Sequence, residues 1–508
     1  MMGYEIVYIL LGFVAMFMYF SKKKTLKGKV IAGPKGLPVL GCIHEIDDEN
    51  IHFKFMDYAQ QYGEIFQLKM LFDKFVVLNS ESIIRKSFGG ENYKHYFSDR
   101  AEMFYGEHFA CNNQALSFVV DGSGQFHKTA RKNVMQALHA YGSGIQELEN
   151  NVLTEMKNLV QRIENAPGQK FECLGMFLQS LSNVISLMLC GETISDNEEE
   201  INMFKEEIEV EDFYLNSYVN FIMSVFPFLR YLPGKYRNEY RKAKAVNAKI
   251  VKKFFHDIKK THVRGQVRGI VDLFLDEQEK QRETDADVFF TDETIIAQVI
   301  DIIDGGITTT WSALTNTLLI LLNHQQYQRK LQEEFDREIG QGRQPTFKDR
   351  SKCTFFKAFE MEVHRYITIV PLMLPHKCRQ HVEFEGYDIE ANSTIIGNAW
   401  FLHHNKEIWG DPWTFRPERF LDEHGDLLPS EHILRRNLMP FGHGLRQCPG
   451  EMFAKTRYFL FISSLLQRWS FEFPADRHVP CDPRLFENFD ISVVIRPKPF
   501  FCCARNRM

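Results

Sequence analysis

The sequence predicts a mainly helical chain, chiefly because two long stretches carry apolar residues at helical spacing. The first runs from Thr291 to about His324, with Thr291 as a plausible N-cap and Asp292 and Glu293 in the first turn. The second runs from Glu451 to Trp469. After residue 42 the 508-residue chain shows no linker, low-complexity tract or repeat, so no evident boundary divides this part.

The amino terminus reads as a membrane anchor. A largely apolar run extends from Tyr4 to Phe20, and its length is at the short end of what can span a bilayer. The basic sequence Ser21-Lys22-Lys23-Lys24 follows it. A cleaved signal peptide, the alternative, would carry basic residues before the run and a small-residue cleavage site after it. We therefore predict an anchor and basic stop at 1–24, with the bulk of the protein facing the cytoplasm. Residues 25–42, which include Gly33 to Gly41, read as a stiff hinge.

Composition limits the functional classes. The net charge of −5 gives no basic field for nucleic acid, whereas 44% apolar residues and 45 phenylalanines suffice for a large core and an aromatic-walled pocket. The ten cysteines suit a reducing compartment. Two polar features are expected at the surface: the pair His403-His404 and the acidic stretch 196–212, which reads as a solvated helix face.

The run Phe441-Gly442-His443-Gly444-Leu445-Arg446-Gln447-Cys448-Pro449-Gly450 places one cysteine in a glycine-rich loop just before a helix. Glycines allow positive φ and close backbone approach, and the helix N-terminus stabilises a thiolate. Arg446 offers a fixed cation to an anionic ligand. A lone cysteine argues against structural zinc, which needs four ligands, and suits haem iron.

Two further motifs extend this pattern. Glu362-Val363-His364-Arg365 places a carboxylate and a guanidinium one helical turn apart, and Phe415-Arg416-Pro417-Glu418-Arg419-Phe420 follows about fifty residues later. With these motifs the chain resembles the cytochrome P-450 family, closest to its microsomal steroid- and drug-oxidising branch. The resemblance implies a mainly α fold with small β-sheets (α+β) and an N-terminal transmembrane helix. It also implies a haem-thiolate catalytic domain at 43–508 and a buried triad of Glu362, Arg365 and Arg419.

The resemblance assigns the segment Asp304-Gly305-Gly306-Ile307-Thr308-Thr309-Thr310 to oxygen activation. Thr309 matches the threonine that guides protons, whereas Thr310 reads as a packing residue. Two glycines and three hydroxyls should weaken the helix locally. An acid usually stands directly before the catalytic threonine, but this chain has Thr308 there, so proton delivery would depend on Asp304 or Asp301.

The resemblance also implies the haem contacts. Cys448 would be the axial ligand of haem b, and Arg131 would face a propionate. His127 occupies the place of a tryptophan donor. The other cofactor-binding residues expected from the family are Arg100, His376, Phe441, Gly442, Gly444, Arg446 and Gly450.

The implied activity is insertion of one oxygen atom from O2 into a lipophilic substrate (steroid, fatty acid or xenobiotic). Electrons would come from NADPH through a flavoprotein reductase, with cytochrome b5 as a further partner, at the endoplasmic reticulum (microsomal) membrane. The loop Val225 to Lys235 would dip into membrane lipid. A basic patch for the electron donor is expected at Lys128, Lys132, Arg435, Arg436 and Lys455.

Two alternatives remain open. A haem-thiolate isomerase or dehydratase of lipid peroxides would need no NADPH and would tolerate loss of the proton relay. A non-catalytic haem-bearing lipid-binding protein would fit the altered Thr308 and His127 positions. The sequence does not identify the substrate.

Overall fold

A computed structural model describes residues 29–46, 51–142, 146–166, 168, 170–194, 197–284 and 289–507. The predicted anchor at 1–24 and the first part of the predicted hinge lie outside these residues. Helices dominate the described chain and the strands form small separate sheets, so the predicted α+β class is confirmed.

The helices differ widely in length, from one turn to the 32 residues of α13. Short 3₁₀ turns and a π-helical turn at Lys252–His256 connect some of them. Their bounds are α1 Ile51–Tyr62, α2 Glu81–Gly89, α3 Lys94–Phe97, α4 Phe104–His108, α5 Gln125–Gly142, α6 Gln146–Asn165, α7 Cys173–Cys190, α8 Glu198–Leu215, α9 Ser217–Val225, α10 Lys235–Val251, α11 Asp257–Lys260, α12 Ile270–Glu283, α13 Asp292–Asn323, α14 Gln325–Glu338, α15 Thr354–Ile367, α16 Ala399–His404, α17 Lys406–Trp409, α18 Ile433–Arg436 and α19 Glu451–Arg468.

The strands in the described part of the chain form four sheets. The largest has the order β1-β2-β8-β5-β3, with β2 and β8 parallel and the other neighbours antiparallel; the others are β10-β11, β4-β12-β9 and β6-β7. The bounds are β1 Ile65–Met70, β2 Asp73–Leu78, β3 Asp99–Arg100, β4 Lys170–Glu172, β5 His376–Lys377, β6 Val382–Phe384, β7 Tyr387–Ile389, β8 Thr394–Gly397, β9 Trp469–Glu472, β10 Phe489–Ile491, β11 Ile495–Pro497 and β12 Phe501–Asn506.

Helix α13 is the central element of the core and packs against α7, α15 and α19. It begins after Thr291, which caps it together with Thr294, so the predicted start is confirmed. Two of its buried hydroxyls pair with neighbouring elements: Ser312 Oγ donates to the carbonyl of Ile495 at 2.6 Å, and Thr317 Oγ1 lies 2.6 Å from the Tyr458 hydroxyl. These contacts fix the helix that crosses the candidate site.

The expected local weakening of this helix does not appear. Helix α13 is continuous through Asp304 to Thr310, and the Thr309 hydroxyl donates to the carbonyl oxygen of Gly305 at 2.8 Å. Burial of the segment between neighbouring elements outweighs the low helix propensity of its glycines and threonines.

Part of the predicted hinge packs against the domain. The amide of Gln67 on β1 donates to the carbonyl of Ala32, and the amide of Cys42 donates to the carbonyl of Lys69. Among the described helices, only α7 is long and apolar enough to cross a membrane, and 72% of that segment is buried in the protein. Such burial is typical of a core helix.

The expectation that His403 and His404 lie at the surface is wrong. Both side chains are fully buried at the end of α16. His403 Nε2 accepts from the amide of Met439 at 3.0 Å, and His404 Nδ1 lies 2.9 Å from the carbonyl of Trp400. The pair therefore has structural partners that lie in the core.

Candidate active site

A cavity of about 300 Å³ lies between α13 and the loop before α19. It contains the cysteine that the sequence singled out, together with most of the expected cofactor contacts. The predicted site residues that line it are Arg100, His127, Arg131, Thr309, His376, Phe441, Gly442, Arg446, Cys448 and Gly450.

Three of the predicted catalytic and cofactor-binding residues lie outside this lining. Gly444 shapes the loop behind it, while the side chains of Thr308 and Asp304 are buried toward other helices. Asp301, one turn before Asp304, does line the cavity, and its Oδ2 accepts from the amide of Ser117 at 3.2 Å. Burial raises the pKa of Asp301 to about 6.

The glycines of the cysteine loop are required by its backbone. Gly442 and Gly444 have φ values of 71° and 80°, and a Cβ at Gly444 would lie 1.9 Å from the carbonyl oxygen of Phe88. The loop closes through the amide of Cys448, which donates to the carbonyl of Phe441 at 3.0 Å. Burial raises the pKa of the Cys448 thiol because it destabilises the thiolate. Coordination to a metal ion would stabilise the thiolate instead.

Arg446 links this loop to the segment that covers the cavity from β3 onward. Its Nε donates to the carbonyl of Ser98 at 2.8 Å and its Nη1 to the carbonyl of Leu116 at 3.0 Å, while Nη2 donates to Val119. From α5, Arg131 Nη1 donates to the carbonyl of Gln447 at 2.7 Å, next to the cysteine. The cavity wall is therefore held by guanidinium groups.

More basic than acidic side chains line the cavity. Burial lowers the pKa of His127 to about 3 and that of Arg446 to about 10, and nearby guanidinium groups lower the pKa of His127 further. The pKa values of Arg100 and His376 are lowered in the same way. Nε2 of His127 is buried and has no hydrogen-bond partner among the described residues. This set, with one thiol nearby, fits a haem whose propionates would supply the missing negative charge.

The predicted triad is assembled next to the site. Glu362 receives two hydrogen bonds from Arg365, at 2.7 and 2.8 Å, and one from Arg419 Nε at 3.0 Å. The side chains of Glu362 and Arg365 are fully buried, and that of Arg419 is 3% exposed. Arg365 also donates to the carbonyls of His403 and Pro412. The triad thus ties α15 to the segment that leads to the cysteine loop.

Thr310 has a polar contact that the sequence did not indicate. Its hydroxyl accepts a 2.8 Å hydrogen bond from Nη2 of Arg457 on α19, and both residues line the cavity. Nε and Nη1 of Arg457 are buried without partners in the described part of the chain. Burial lowers the pKa of this guanidinium to about 9.

The expectation of a solvated acidic face on α8 is wrong for two residues. Glu207 and Glu211 are 2% and 5% exposed, and they face α13. Glu211 Oε2 accepts from the Thr308 hydroxyl at 2.5 Å. Glu207 Oε1 lies 3.0 Å from the hydroxyl of Tyr105, which is also 2.8 Å from Oδ2 of Asp304. Sequence reasoning missed this cluster, although both glutamates share the helical phase of the apolar residues on α8.

Comparisons with known proteins agree with this geometry. The family model of cytochrome P450 matches residues 31–504. Cytochrome P450 2J3 of Rattus norvegicus is 29% identical over 484 residues, which cover 94% of this chain and 91% of that protein. Cytochrome P450 2D14 of Bos taurus is 30% identical over 476 residues (93% and 92%). The vitamin D(3) 25-hydroxylase of Sus scrofa is 28% identical over 481 residues (93% and 92%).

The match extends over nearly the whole described chain, and the fold, the thiol loop and the basic cavity wall all agree with it. The resemblance noted in the sequence is thereby confirmed. The chain belongs to the cytochrome P450 family and is a haem-dependent monooxygenase.

Proposed function

We propose that the protein is a membrane-anchored monooxygenase that inserts one atom of O2 into a lipophilic substrate, with electrons from NADPH delivered by a flavoprotein reductase. The observation that carries this proposal is the cavity that brings Cys448 and Thr309 together beneath α13. The net reaction takes up two electrons and two protons and releases water with the oxygenated product. Haem, once bound, supplies the oxygen-activating redox chemistry.

The chain's own residues would position that group and the substrate. Cys448 would hold the iron, and Arg100, Arg131 and His376 would hold the propionates. Thr309 is the proton-bearing hydroxyl at the cavity wall, and Asp304 and Thr308 are proposed to serve proton delivery from behind it. Apolar side chains from α13 and from the loop after α15, such as Ile302, Val370 and Leu374, would exclude water from the substrate.

An exposed apolar face supports membrane attachment. Phe228, Tyr231 and Leu232, in the turn between α9 and α10, are about half exposed or more (54%, 65% and 49%). Leu40 and Phe72, near the start of the described chain, are 44% and 65% exposed. Leu71, which precedes Phe72, and Phe226, whose ring contacts that of Phe228, belong to the same apolar cluster as Phe221 of α9, which favours one shared face. We propose that this side meets the membrane, with residues 1–24 as the anchor and 25–42 as the hinge.

A second cavity beneath this face offers a substrate path. It is lined by residues of α9 and of the segment before α1, including Ile43, Phe221 and Val225. Met373 and Leu374 line both this cavity and the one at Cys448. A lipophilic molecule that leaves the membrane would therefore pass these two side chains to reach the site.

The apolar path and the name of one relative support a choice of substrate classes to test. One relative is named as a hydroxylase of vitamin D(3), a lipophilic secosteroid. We propose sterols, fatty acids and lipophilic xenobiotics as the classes to test, at the endoplasmic reticulum membrane with the catalytic domain toward the cytoplasm.

The side of the molecule near the cysteine loop has a basic surface for an acidic electron donor. Lys128 and Lys132 on α5 are exposed and flank Arg131, which contacts the loop. Arg436 and Lys455, by contrast, pair with Glu81 and Glu451. We propose that Lys128 and Lys132 contribute most to binding of the reductase, and of cytochrome b5 as a second donor.

The test reconstitutes the full-length protein with haem and NADPH-dependent reductase in phospholipid vesicles. Sterols, fatty acids and xenobiotics are incubated with isotopically labelled O2, with and without NADPH, and products are identified by mass spectrometry. A product that gains one labelled oxygen only with NADPH supports the proposal. Rearranged or dehydrated lipid peroxides formed without NADPH would instead support an isomerase or dehydratase.

A further inference from the structure

Helices α8 and α13 face each other through polar side chains spaced one helical turn apart. Glu207 and Glu211 on α8 oppose Asp304 and Thr308 on α13, and the Tyr105 hydroxyl of α4 lies between Glu207 and Asp304. All five side chains are at most 6% exposed. They form a buried network directly behind Thr309, and we call it the carboxyl network.

Hydrogen-bond stoichiometry shows that the carboxyl network holds protons. The Tyr105 hydroxyl has a single hydrogen, yet it lies within hydrogen-bond distance of both Glu207 Oε1 and Asp304 Oδ2. Because one hydrogen makes only one strong bond, the second contact favours a carboxylic acid that donates to the tyrosine oxygen. Glu207 Oε2 and Asp304 Oδ1 are buried without a partner among the described residues, which a neutral acid tolerates better than a carboxylate.

Burial also favours the neutral form of Glu211. Burial raises its pKa to about 8, and the neighbouring carboxyl groups raise it further. The hydrogen bond from Thr308 and the charge of Arg496 on β11 oppose this shift, although Nη2 of Arg496 donates to Oδ2 of Asp212 at 2.5 Å and not to Glu211. The ionisable groups that influence Glu211 are Glu207 and Asp212 on α8, Asp304 on α13 and Arg496 on β11; Tyr105 completes the network.

We infer that Glu211 supplies, from the neighbouring helix, the acid that the chain lacks directly before Thr309. Its carboxyl group bonds the hydroxyl at position 308, where the acid was expected, and the next residue carries its hydroxyl at the cavity wall. Glu211 is thus a positioning residue that acts through Thr308, and Glu207, Tyr105 and Asp304 form the proton reserve behind it. The inference rests on the proposed monooxygenase function and deepens it.

The proton transfer balances without a further reactant. The Thr308 hydroxyl donates to Glu211 at rest, and its hydrogen can turn away by rotation about the Cβ–Oγ1 bond. Glu211 then gives its carboxyl proton to Oγ1 of Thr308, and Thr308 gives its own hydroxyl proton to a water that leads to the cavity, which supplies one of the two protons that the reaction consumes. The carboxylate left on Glu211 takes a proton from solvent before the next turnover. The two electrons of the reaction still come from NADPH.

The first test compares wild type, Glu211→Gln and the double variant Glu211→Gln with Thr308→Asp in the reconstituted system. The amide in Glu211→Gln keeps the shape and can accept from Thr308 but cannot release a proton, so hydrogen peroxide released per NADPH should rise about threefold or more, with a larger solvent isotope effect. In the double variant, the new carboxyl group at position 308 restores an acid beside Thr309 and can accept from the side-chain amide introduced at position 211. The double variant should therefore return to within about twofold of the wild-type coupling.

The matched control is Glu209→Gln, an exposed residue of the same helix that pairs with Lys242. It should leave coupling unchanged. The inference would be overturned if Glu211→Gln released as much hydrogen peroxide per NADPH as wild type and showed the same solvent isotope effect. Failure of the double variant to recover would also overturn it, because a merely structural role of Glu211 is not restored by an acid on another helix.

The second test needs neither reductase nor substrate. Infrared difference spectra of the purified haem-loaded protein, recorded from about pH 6 to about pH 9, should contain a protonated carboxyl band of Glu211 at neutral pH. Glu211→Gln should remove this band, while the absorption of the acid that contacts Tyr105 remains. Absence of this band in wild type overturns the inference even where NADPH-dependent product forms. Presence of the band with neither product nor peroxide under NADPH overturns the proposed function, and with it the role of Glu211 in turnover.

Discussion

Glu362 and Arg365 face each other one turn apart on α15, joined by two hydrogen bonds of 2.7 and 2.8 Å with both side chains fully buried. Arg419, in the chain segment that precedes α18, donates a further hydrogen bond to this carboxylate from its Nε at 3.0 Å. The carboxylate also accepts from the backbone amide of Arg416 at 2.8 Å. The bonds from Arg416 and Arg419 to this carboxylate hold the segment that leads to the cysteine loop against α15.

Substitution of Glu362 by Ala should prevent formation of the loaded protein. Two guanidinium groups would remain buried without their anion, which costs about 3–5 kcal/mol of unfolding free energy. We expect purified Glu362→Ala to lack the haem absorbance band and to unfold at a lower temperature, as measured by absorbance and circular dichroism. Glu383→Gln, at an exposed position of β6, is the control and should retain haem. A stable Glu362→Ala protein with full haem content would contradict the role of the triad.

The position of His127 leads to a second prediction. Its Nε2 is buried at the cavity wall without a partner among the described residues, as expected of a donor to the haem. His127→Phe keeps the ring but removes the hydrogen bond, which should accelerate haem transfer to apomyoglobin by about fivefold to tenfold. His127→Trp carries an N–H donor and should restore slow transfer. Equal transfer rates for wild type and His127→Phe would show that His127 makes no such bond.

Local signals explain why parts of the fold could be predicted. The start of α13 is encoded by Thr291 and the two acids after it, and the extent of α19 by an apolar period without interruption. The backbone of the cysteine loop is also determined by local sequence, since Gly442 and Gly444 adopt the positive φ that glycine predicts. Such features depend on neighbours within one or two helical turns, which a sequence shows directly.

The carboxyl network could not be predicted because its contacts are long-range. Glu211 meets Thr308 across 97 positions, and Tyr105 meets Asp304 across 199. Glutamate is ordinarily a surface residue, so an acidic helix reads as solvated. The phase of Glu207 and Glu211 with Phe204 and Ile208 indicated burial, but nothing in the sequence identified the partner.

The basic surface near Cys448 gives a third prediction. Lys128→Glu with Lys132→Glu should slow the first electron transfer from reductase about tenfold at low salt, because the surface steers an acidic partner. The difference should shrink as salt is added. Stopped-flow reduction under carbon monoxide measures the rate, and an unchanged haem spectrum shows that the site is intact. Lys205→Glu, an exposed lysine of α8, is the control. Equal rates at low salt would remove these lysines from the reductase surface.

The carboxyl network should also make the stability of the protein depend on pH. Burial raises the pKa of Glu207 to about 7 and that of Glu211 to about 8, above the ordinary value near 4.5. Between the ordinary pKa and the raised pKa of each glutamate, the folded protein binds a proton that the unfolded chain has lost. In that pH range each glutamate therefore lowers the free energy of unfolding as pH rises, by roughly 1 kcal/mol per pH unit. Buried histidines such as His127 and His403, whose pKa values burial lowers to about 3, act in the opposite direction below about pH 6.5.

The buried glutamates and the buried histidines change the stability with pH in opposite directions. The informative quantity is therefore the difference in melting temperature between a variant and wild type. Glu207→Gln lacks the acid but keeps the histidines, so this difference should shift in favour of the variant by about 3 °C between pH 4.5 and pH 7. Above about pH 8 the difference should become constant, since the wild-type group is then ionised in both states. The exposed Glu209→Gln should show a flat difference throughout. A flat difference for Glu207→Gln would mean that Glu207 is ionised in the folded protein, and the shared proton with Tyr105 and Asp304 would then have to reside on Asp304.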